Sequence, residues 1–459
     1  MLVRKFGGTS VKDATAIKRT VEIIKNCESQ QIIVVSALSG ITNLLVLCIE
    51  NLKSHKIDNS VNNLEQIRTI HLELILELKL NSSLNDFVNI TIDELIKIIN
   101  ALDIIGEISN KSKDKILATG EIFSSYIIAE YANSILGNVK HINSTEIIKT
   151  DSNYSEAEVD FEITENLIAD KLNYFQQNCS ILICGGFIGS DKYGSITTLG
   201  RGGSDYSAAV IAKCVKAESL EIWKDVDGIL TSDPRMINSA KLLKEISYKE
   251  AAELAYFGAK VLHPKTIYPA IEEQIPVYVL NSYKPNGKGT LIKMKSDFGN
   301  MIKAIAFRKN ITIINVTSNR MLGAYGFLAK VFDVFLMNET SVDLVTTSEV
   351  SISLTIDNDR NLASIISDLN SFASIEIYEN KAIISAVGEG VRDTSGIAAR
   401  FFGALNGVNI SMISMGASEV NLSIIIAENE LEKAVKLLHS EFFENQTLPE
   451  LFIELTGNN

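Results

Sequence analysis

Between Met1 and about Ile292, short apolar runs recur, each bounded by turn residues and separated by stretches of helical spacing. Leu2–Arg4, Gln31–Val35, Ile181–Cys184, Ser219–Trp223 and Val277–Leu280 are the strands this pattern predicts. The runs are continuously apolar rather than alternating, as strands buried on both faces require. Strands alternating with helices predict an α/β fold, a mostly parallel sheet covered by helices on both faces. Residues 49–110 differ: Leu, Ile, Glu and Lys recur at helical periods with few glycines or prolines, which predicts a helical insertion or lid.

The polar, turn-rich stretch Tyr283–Thr290 places a boundary near Ser282–Asn300. Beyond it the order becomes strand (Ile311–Thr317), helix (Gly326–Asn338), strand (Val342–Thr346), strand (Val350–Ile356), helix (Asn361–Leu369) and strand (Ile375–Tyr378). A similar order restarts at Ala382–Val387, with helix Ser395–Leu405, strands Ile410–Met415 and Val420–Ala427, and helix Glu430–Phe442. A repeat of roughly 70 residues fits two copies of a small βαββαβ domain. The division expected is 1–292, 300–380 and 381–459.

Composition agrees. A chain of 459 residues exceeds what one core supports, so two or three domains are expected. Hydrophobic residues at 46% and charged residues at 22% are those of a globular protein. A net charge of −13 argues against a general nucleic-acid or membrane-surface binder and leaves room for a local basic pocket. Cys27, Cys48, Cys179, Cys184 and Cys214 are scattered, mostly within apolar runs, which predicts reduced thiols and a cytoplasmic setting. No charged-then-apolar leader and no run of about 18 apolar residues occurs, so neither signal peptide nor membrane span is expected. No two histidines have metal-ligand spacing, so no metal site is assigned, and His263 before Pro264 reads as structural.

The chemistry begins where the first strand meets Lys5-Phe6-Gly7-Gly8-Thr9-Ser10. A lysine, two glycines and two hydroxyls at a helix start suit an anion, although the glycine pair alone fits an ordinary strand-to-helix turn equally well. It is not a Walker loop, because no Gly-Lys-Ser/Thr closes it. A second glycine-rich segment, Gly185-Gly186-Phe187-Ile188-Gly189, follows another buried strand. After a hairpin (Ser190–Ile196) come Thr197–Asp205 and the helix Tyr206–Val215. Two such turns predict two walls of one anion cleft, with Arg201 and Asp205 facing it.

Further segments are Val34–Asn43, Ala118-Thr119-Gly120-Glu121, Ile222–Arg235 and Tyr256–Pro264. With these six ordered motifs the chain resembles, over nearly its whole length, the aspartate kinases of the amino-acid kinase superfamily, of the lysine-sensitive type with a C-terminal pair of ACT domains. The resemblance implies transfer of the γ-phosphoryl group of ATP to the β-carboxylate of L-aspartate, giving 4-phospho-L-aspartate and ADP. It also implies that strand 302–307 can pair with the second ACT copy. Such a transfer needs charge neutralisation and alignment more than covalent help, and the acceptor carboxylate is ionised at neutral pH, so no general base is assigned.

By the same resemblance, Lys5 is the principal cation on the phosphoryl oxygens. Asp205 orients Lys5 and the substrate amine; taken alone it could be a helix N-terminal charge. Gly7 and Gly8 let the backbone approach the phosphates, and Ser10 adds a hydroxyl donor. Glu121 is expected to take the substrate amine and Arg201 the α-carboxylate, with Thr42, Ser204 and the backbone near Phe187 completing the site. The nucleotide residues are Lys224, Asp225, Leu230, Arg235 and Lys260, with Asp225 near the ribose or base and Arg235 and Lys260 near phosphate. Lys224 stands where the family often has a small hydroxyl residue, and Leu230 where an aromatic is common, both beside the expected adenine pocket. Mg²⁺ is expected on the phosphates.

Ser341, Val342, Asp343, Thr347, Ser348 and Glu349, with Met321, Gly326, Phe327 and Leu328, resemble the effector pocket of lysine-inhibited members. Asp343 and Glu349 would face the ligand's cationic groups; the plainer reading is an edge of a dimerising ACT sheet. Gly323-Ala324-Tyr325 departs from the polar stretch usual there. Asn409–Ala417, the equivalent region of the second copy, is expected to pack between subunits of a homodimer or higher oligomer. The chain stops after the second ACT copy, so no fused homoserine dehydrogenase is expected. The alternatives are a sibling kinase acting on another small carboxylate, carbamate or nucleotide, and a non-catalytic ACT-type sensor. Arg201 with Glu121 argues against the first, and retention of Lys5, Arg201, Asp205 and Lys260 against the second.

Overall fold

Strands Val139–His141, Ile181–Gly185, Gln31–Val35, Leu2–Phe6, Ser219–Lys224, Val277–Asn281 and Thr290–Lys293 lie side by side in that order. Every neighbouring pair is parallel except the last. The computed structural model describes residues 1–27, 29–175, 180–258, 262–318, 325–444 and 450–453. The chain divides into two units, Met1–Gly228 with Val261–Met294, and Ile229–Lys260 with Lys295–Asn459. In the first unit, Leu2–Phe6 sits between Gln31–Val35 and Ser219–Lys224. The chain first adds strands to one side of it and then crosses to the other, and in open α/β sheets ligands bind outside the carboxyl ends of strands at such a reversal.

Two expectations near this edge are corrected. The first strand does not stop at Arg4 but runs through Phe6, which pairs with both Val35 and Trp223 and stacks on the Trp223 ring at 5.9 Å. Lys5 is therefore a strand residue. Nor does a regular helix begin at the glycine pair: Gly8–Val11 is a single 3₁₀ turn, and the α-helix starts at Ala14, where the Asp13 side chain accepts from the Ala16 N–H. The expected helical insertion forms helices Ile41–Lys53, Ile57–Glu77, Ser83–Ile105 and Asn110–Leu136. Leu64, Val88, Ile92 and Phe123 share one apolar cluster with Ile33 and Val35 of the sheet, so these helices are part of the core.

In the second unit, strands Val345–Thr347, Ser351–Ile356, Ala304–Thr317, Ser374–Val387, Asn421–Ala427 and Ile410–Met415 form one sheet in that order, antiparallel throughout. Ala304–Arg308 pairs with Ile383–Val387, and after a register shift Ile311–Thr317 pairs with Ser374–Lys381. The polar residues that looked like breaks between strands are irregularities inside continuous ones: Asn310 and Asn380 adopt φ of 57° and 55°. Ile229–Lys260 packs here as well. Ile237 and Ala240 enter the core with Ile424, Leu438 and Phe443, and Lys303 pairs with Glu250 at 2.8 Å, both side chains fully buried. The run expected as one domain to residue 292 is thus interrupted, and no shift in composition announces it.

Candidate active site

Alternation along Leu2–Phe6 sends Arg4 and Lys5 to opposite faces of the sheet. Arg4 is held by Glu221 at 2.8 Å and by Gln31 at 2.9 Å. Lys5 meets the Asp205 carboxylate, its Nζ lying 2.6 Å from Oδ1, while Lys224 Nζ donates to Oδ2 at 3.0 Å. Asp205 comes from the first turn of helix Gly203–Cys214, and Lys224 ends its strand. Burial opposes the Asp205 charge, but Lys5 and Lys224 outweigh it and hold the carboxyl down at about 2. Glu121 projects from helix Asn110–Leu136; burial pushes its carboxyl up to about 7, against a backbone hydrogen bond from Ala37 and the charge of Lys5. Its Oε2 is buried without a hydrogen-bond partner among the described residues. An unpartnered buried carboxylate oxygen beside a cation cluster is a place for a ligand cation.

Close backbone approaches assemble these groups. A Cβ on Gly120 would lie 2.8 Å from the Ala37 Cβ, and one on Gly186 would lie 2.6 Å from Ser204 Cα. Only glycine lets the Ala37 loop seat against Glu121's helix and the second glycine turn close on the helix that carries Asp205. Lys5 Nζ lies 3.6 Å from the Cβ position at Gly7, while the Gly8 Cβ position lies 3.0 Å from Ala37 O, so both glycine turns face the same edge. Phe187 holds φ of 68°, with its N–H donated to Ser207 Oγ at 2.9 Å and its carbonyl accepting from Leu199 N–H at 2.9 Å. A non-glycine residue kept there is a strained turn fixed by its surroundings.

Ser204 is buried beside Gly186, and Thr42 is half-buried in the first turn of the helix that follows the Ala37 loop. Arg201 is exposed in the turn before Gly203–Cys214 and has no hydrogen-bond or ion-pair partner among the described residues. Ser10 requires a correction. It is fully buried and its one hydroxyl proton is shared between Ser282 Oγ at 2.8 Å and, more distantly, Trp223 O at 3.3 Å, so it braces the strand ends instead of facing a phosphate. Asp225 is exposed just beyond Lys224, whereas Asp227, which the motifs did not single out, takes Asn281 at 2.6 Å and Lys284 at 3.0 Å. In the second unit Leu230 packs against the apolar core. There Arg235, exposed, is forked on Asp233 at 3.0 and 2.6 Å. Lys260 lies outside the described residues.

A model of the amino acid kinase family matches residues 1–281, and one of the ACT domain matches residues 384–442. The chain is 38% identical over 471 residues to aspartokinase 1, chloroplastic, of Arabidopsis thaliana, spanning 98% of this chain and 82% of that protein. To lysine-sensitive aspartokinase 3 of Escherichia coli it is 35% identical over 457 residues, spanning 97% and 99%. The chain belongs to the aspartokinase family. The structure of E. coli aspartokinase III in complex with lysine and aspartate is similar to it with a TM-score of 0.82 at 36% identity, covering 97% of this chain and 100% of that one. That of E. coli aspartokinase III with aspartate and ADP gives 0.82 at 35%, again covering 97% and 100%. The chain is thus an ATP-dependent aspartate kinase with an ACT regulatory region.

In the regulatory sheet of the kinase, Tyr256 OH donates to Asp343 Oδ1 at 2.8 Å and Arg308 Nη1 donates to the same oxygen at 3.3 Å. Oδ2 is buried without a hydrogen-bond partner among the described residues. Burial and nearby Asp357 raise the Asp343 carboxyl against its hydrogen bond to Tyr256 and the pull of Arg308. Gly326, with φ of 80°, begins helix Phe327–Met337, where Phe327 is half-buried and Leu328 exposed. Val342 is half-buried, and Ser341, Thr347, Ser348 and Glu349 are exposed around strand Val345–Thr347. Met321 lies outside the described residues. Among the described residues, no helix is long and apolar enough to cross a membrane.

Proposed function

We propose that this aspartate kinase transfers the γ-phosphoryl group at the carboxyl edge of its parallel sheet, with Lys5 neutralising the transferring oxygens and Asp205 aiming it. What carries the reading is the buried Lys5–Asp205 pair beside the unpartnered Glu121 oxygen. Glu121 takes the aspartate ammonium, and the free Arg201 fork takes the α-carboxylate, which leaves the β-carboxylate to meet the phosphoryl group. Ser204, Thr42 and the Phe187 backbone complete the amino-acid site. Gly7 and Gly8 admit the phosphates, and Mg²⁺ enters with the nucleotide on its phosphate oxygens. Asp225 serves the nucleotide.

Arg201→Ala is expected to raise the aspartate KM by about 10- to 100-fold, the worth of a charge-assisted bidentate contact, with a smaller effect on kcat. An unchanged KM in steady-state kinetics would assign the clamp elsewhere. Glu121 makes a pH prediction. With its carboxyl near 7 in the unliganded site, it must lose a proton before pairing with an ammonium, so kcat/KM for aspartate is expected to fall by up to about tenfold per pH unit below that point and to level off above it. A profile from pH 5.5 to 8 checks this, and Glu121→Gln should flatten it.

For regulation, the buried, unpartnered Asp343 oxygen supports a cationic amino acid, lysine, as the effector, bound among Ser341–Glu349 and Gly326–Leu328 in a homodimer joined through the ACT sheets. Added lysine is expected to inhibit ADP release, and Asp343→Ala to relieve that inhibition. Inhibition by threonine and not lysine would replace the effector. The reduced thiols expected from the cysteine pattern suit a cytoplasmic enzyme.

A further inference from the structure

Lys224 lies next to Asp225 in sequence, yet its ammonium reaches across to Asp205. The two Asp205 oxygens are shared out, one to Lys5 at 2.6 Å and the other to Lys224 at 3.0 Å, with the side chains of Lys5 and Asp205 each 7% exposed and that of Lys224 19%. A carboxylate facing Lys5 alone could serve it from either oxygen and swing about its last torsion, which is broad for an aspartate. A second ammonium on the other oxygen fixes the carboxylate plane, and with it the direction in which Lys5 presents its remaining N–H bonds. The charges differ as well. Lys224 adds a second positive charge beside the Lys5–Asp205 pair, where a polyphosphate must come to rest.

We propose that Lys224 is a positioning residue for phosphoryl transfer, locking the Asp205 carboxylate that aims Lys5 and adding a positive charge beside it. This rests on the reading of Lys5 as the phosphoryl-directed cation. Among the described residues, the charged groups facing Lys5 are Asp205 from helix Gly203–Cys214, Lys224 from the neighbouring strand and Glu121 from helix Asn110–Leu136. Burial pulls the Lys5 ammonium below its ordinary value, Asp205 and Glu121 pull it back, and Lys224 repels it further down. Removing the Lys224 charge therefore has two opposite signatures. Turnover falls because the alignment and the second positive charge are lost, while the pH at which Lys5 gives up its proton rises. A side chain that only packed, or only touched the nucleotide base, would produce no such pairing.

The test compares pH profiles of kcat for the full-length wild type, Lys224→Met and Lys224→Arg, with Lys5→Met as the reference for the underlying reading. Lys224→Met is expected to lose about 10- to 100-fold in kcat, with the ATP KM within about threefold and the alkaline limb displaced to higher pH. Lys224→Arg should recover most of the turnover and keep the wild-type limb. Should the methionine variant not fold, Lys224→Gln, which retains a donor to Asp205 without the charge, is expected to displace the limb in the same direction. A raised ATP KM with kcat and limb unchanged would make Lys224 a nucleotide contact and overturn the proposal, as would a variant indistinguishable from wild type. Near-normal turnover in Lys5→Met would instead remove the reading beneath it.

Discussion

Lys5→Met is expected to lower kcat by about three orders of magnitude or more while ADP still binds within a few-fold of the wild type. Methionine keeps most of the lysine stem, so packing against the Gly7 turn is preserved and the ammonium is what disappears. Three orders of magnitude correspond to about 4 kcal/mol, the scale of losing a preorganised charge in a water-poor site. Asp205 would remain paired with Lys224, so the variant is not left with an orphaned buried carboxylate and should fold. Steady-state turnover with calorimetric titration of ADP separates the two effects. A variant that turns over near normally would remove Lys5 from the phosphoryl transfer.

The second large effect concerns stability. Lys303→Met should destabilise the second unit by about 3–5 kcal/mol, because it strips the partner from a carboxylate with no access to water. Glu250 does three jobs there: it accepts from Ser247 N–H at 2.8 Å in a capping box, from Lys303 at 2.8 Å and from Glu389 N–H at 2.5 Å. Through it, helix Tyr248–Tyr256, the start of the regulatory sheet and the loop after Val387 are tied at one point. The double variant Lys303→Met with Glu250→Gln should be more stable than the single one, since a neutral amide needs no counter-charge. Urea unfolding of all three proteins checks the order, and equal curves for the wild type and Lys303→Met would show that the pair contributes nothing.

The strands of the first unit were legible because burial on both faces leaves unbroken apolar runs, as in Gln31–Val35 and Ile181–Gly185. The three-residue strand Val139–His141 carries only one buried apolar side chain and gave no such signal. Lys5, Glu121, Arg201 and Asp205 could be singled out because each sits in a motif with glycines whose absent Cβ atoms allow close backbone approach. Ser10 and Lys224 have partners that the motifs did not reveal, for a shared reason. Those partners lie far along the chain, Ser282 for one and Asp205 for the other, and only the folded sheet brings them together. The regulatory strands were cut short because Asn310 and Asn380 imitate turn residues while serving as irregularities within longer strands. The tie between Glu250 and Lys303 joins two segments that no periodicity relates.

The central claim, a phosphoryl group passed to the side-chain carboxylate of aspartate at the Lys5 edge, is tested most directly by ADP release measured across L-aspartate, L-glutamate and other small acids, with hydroxylamine present to trap an acyl phosphate. The account predicts ADP release and hydroxamate formation in equal amounts with L-aspartate, little with the other acids, and loss of both signals in Lys5→Met. Equal turnover on glutamate, or ADP release without hydroxamate, would contradict it.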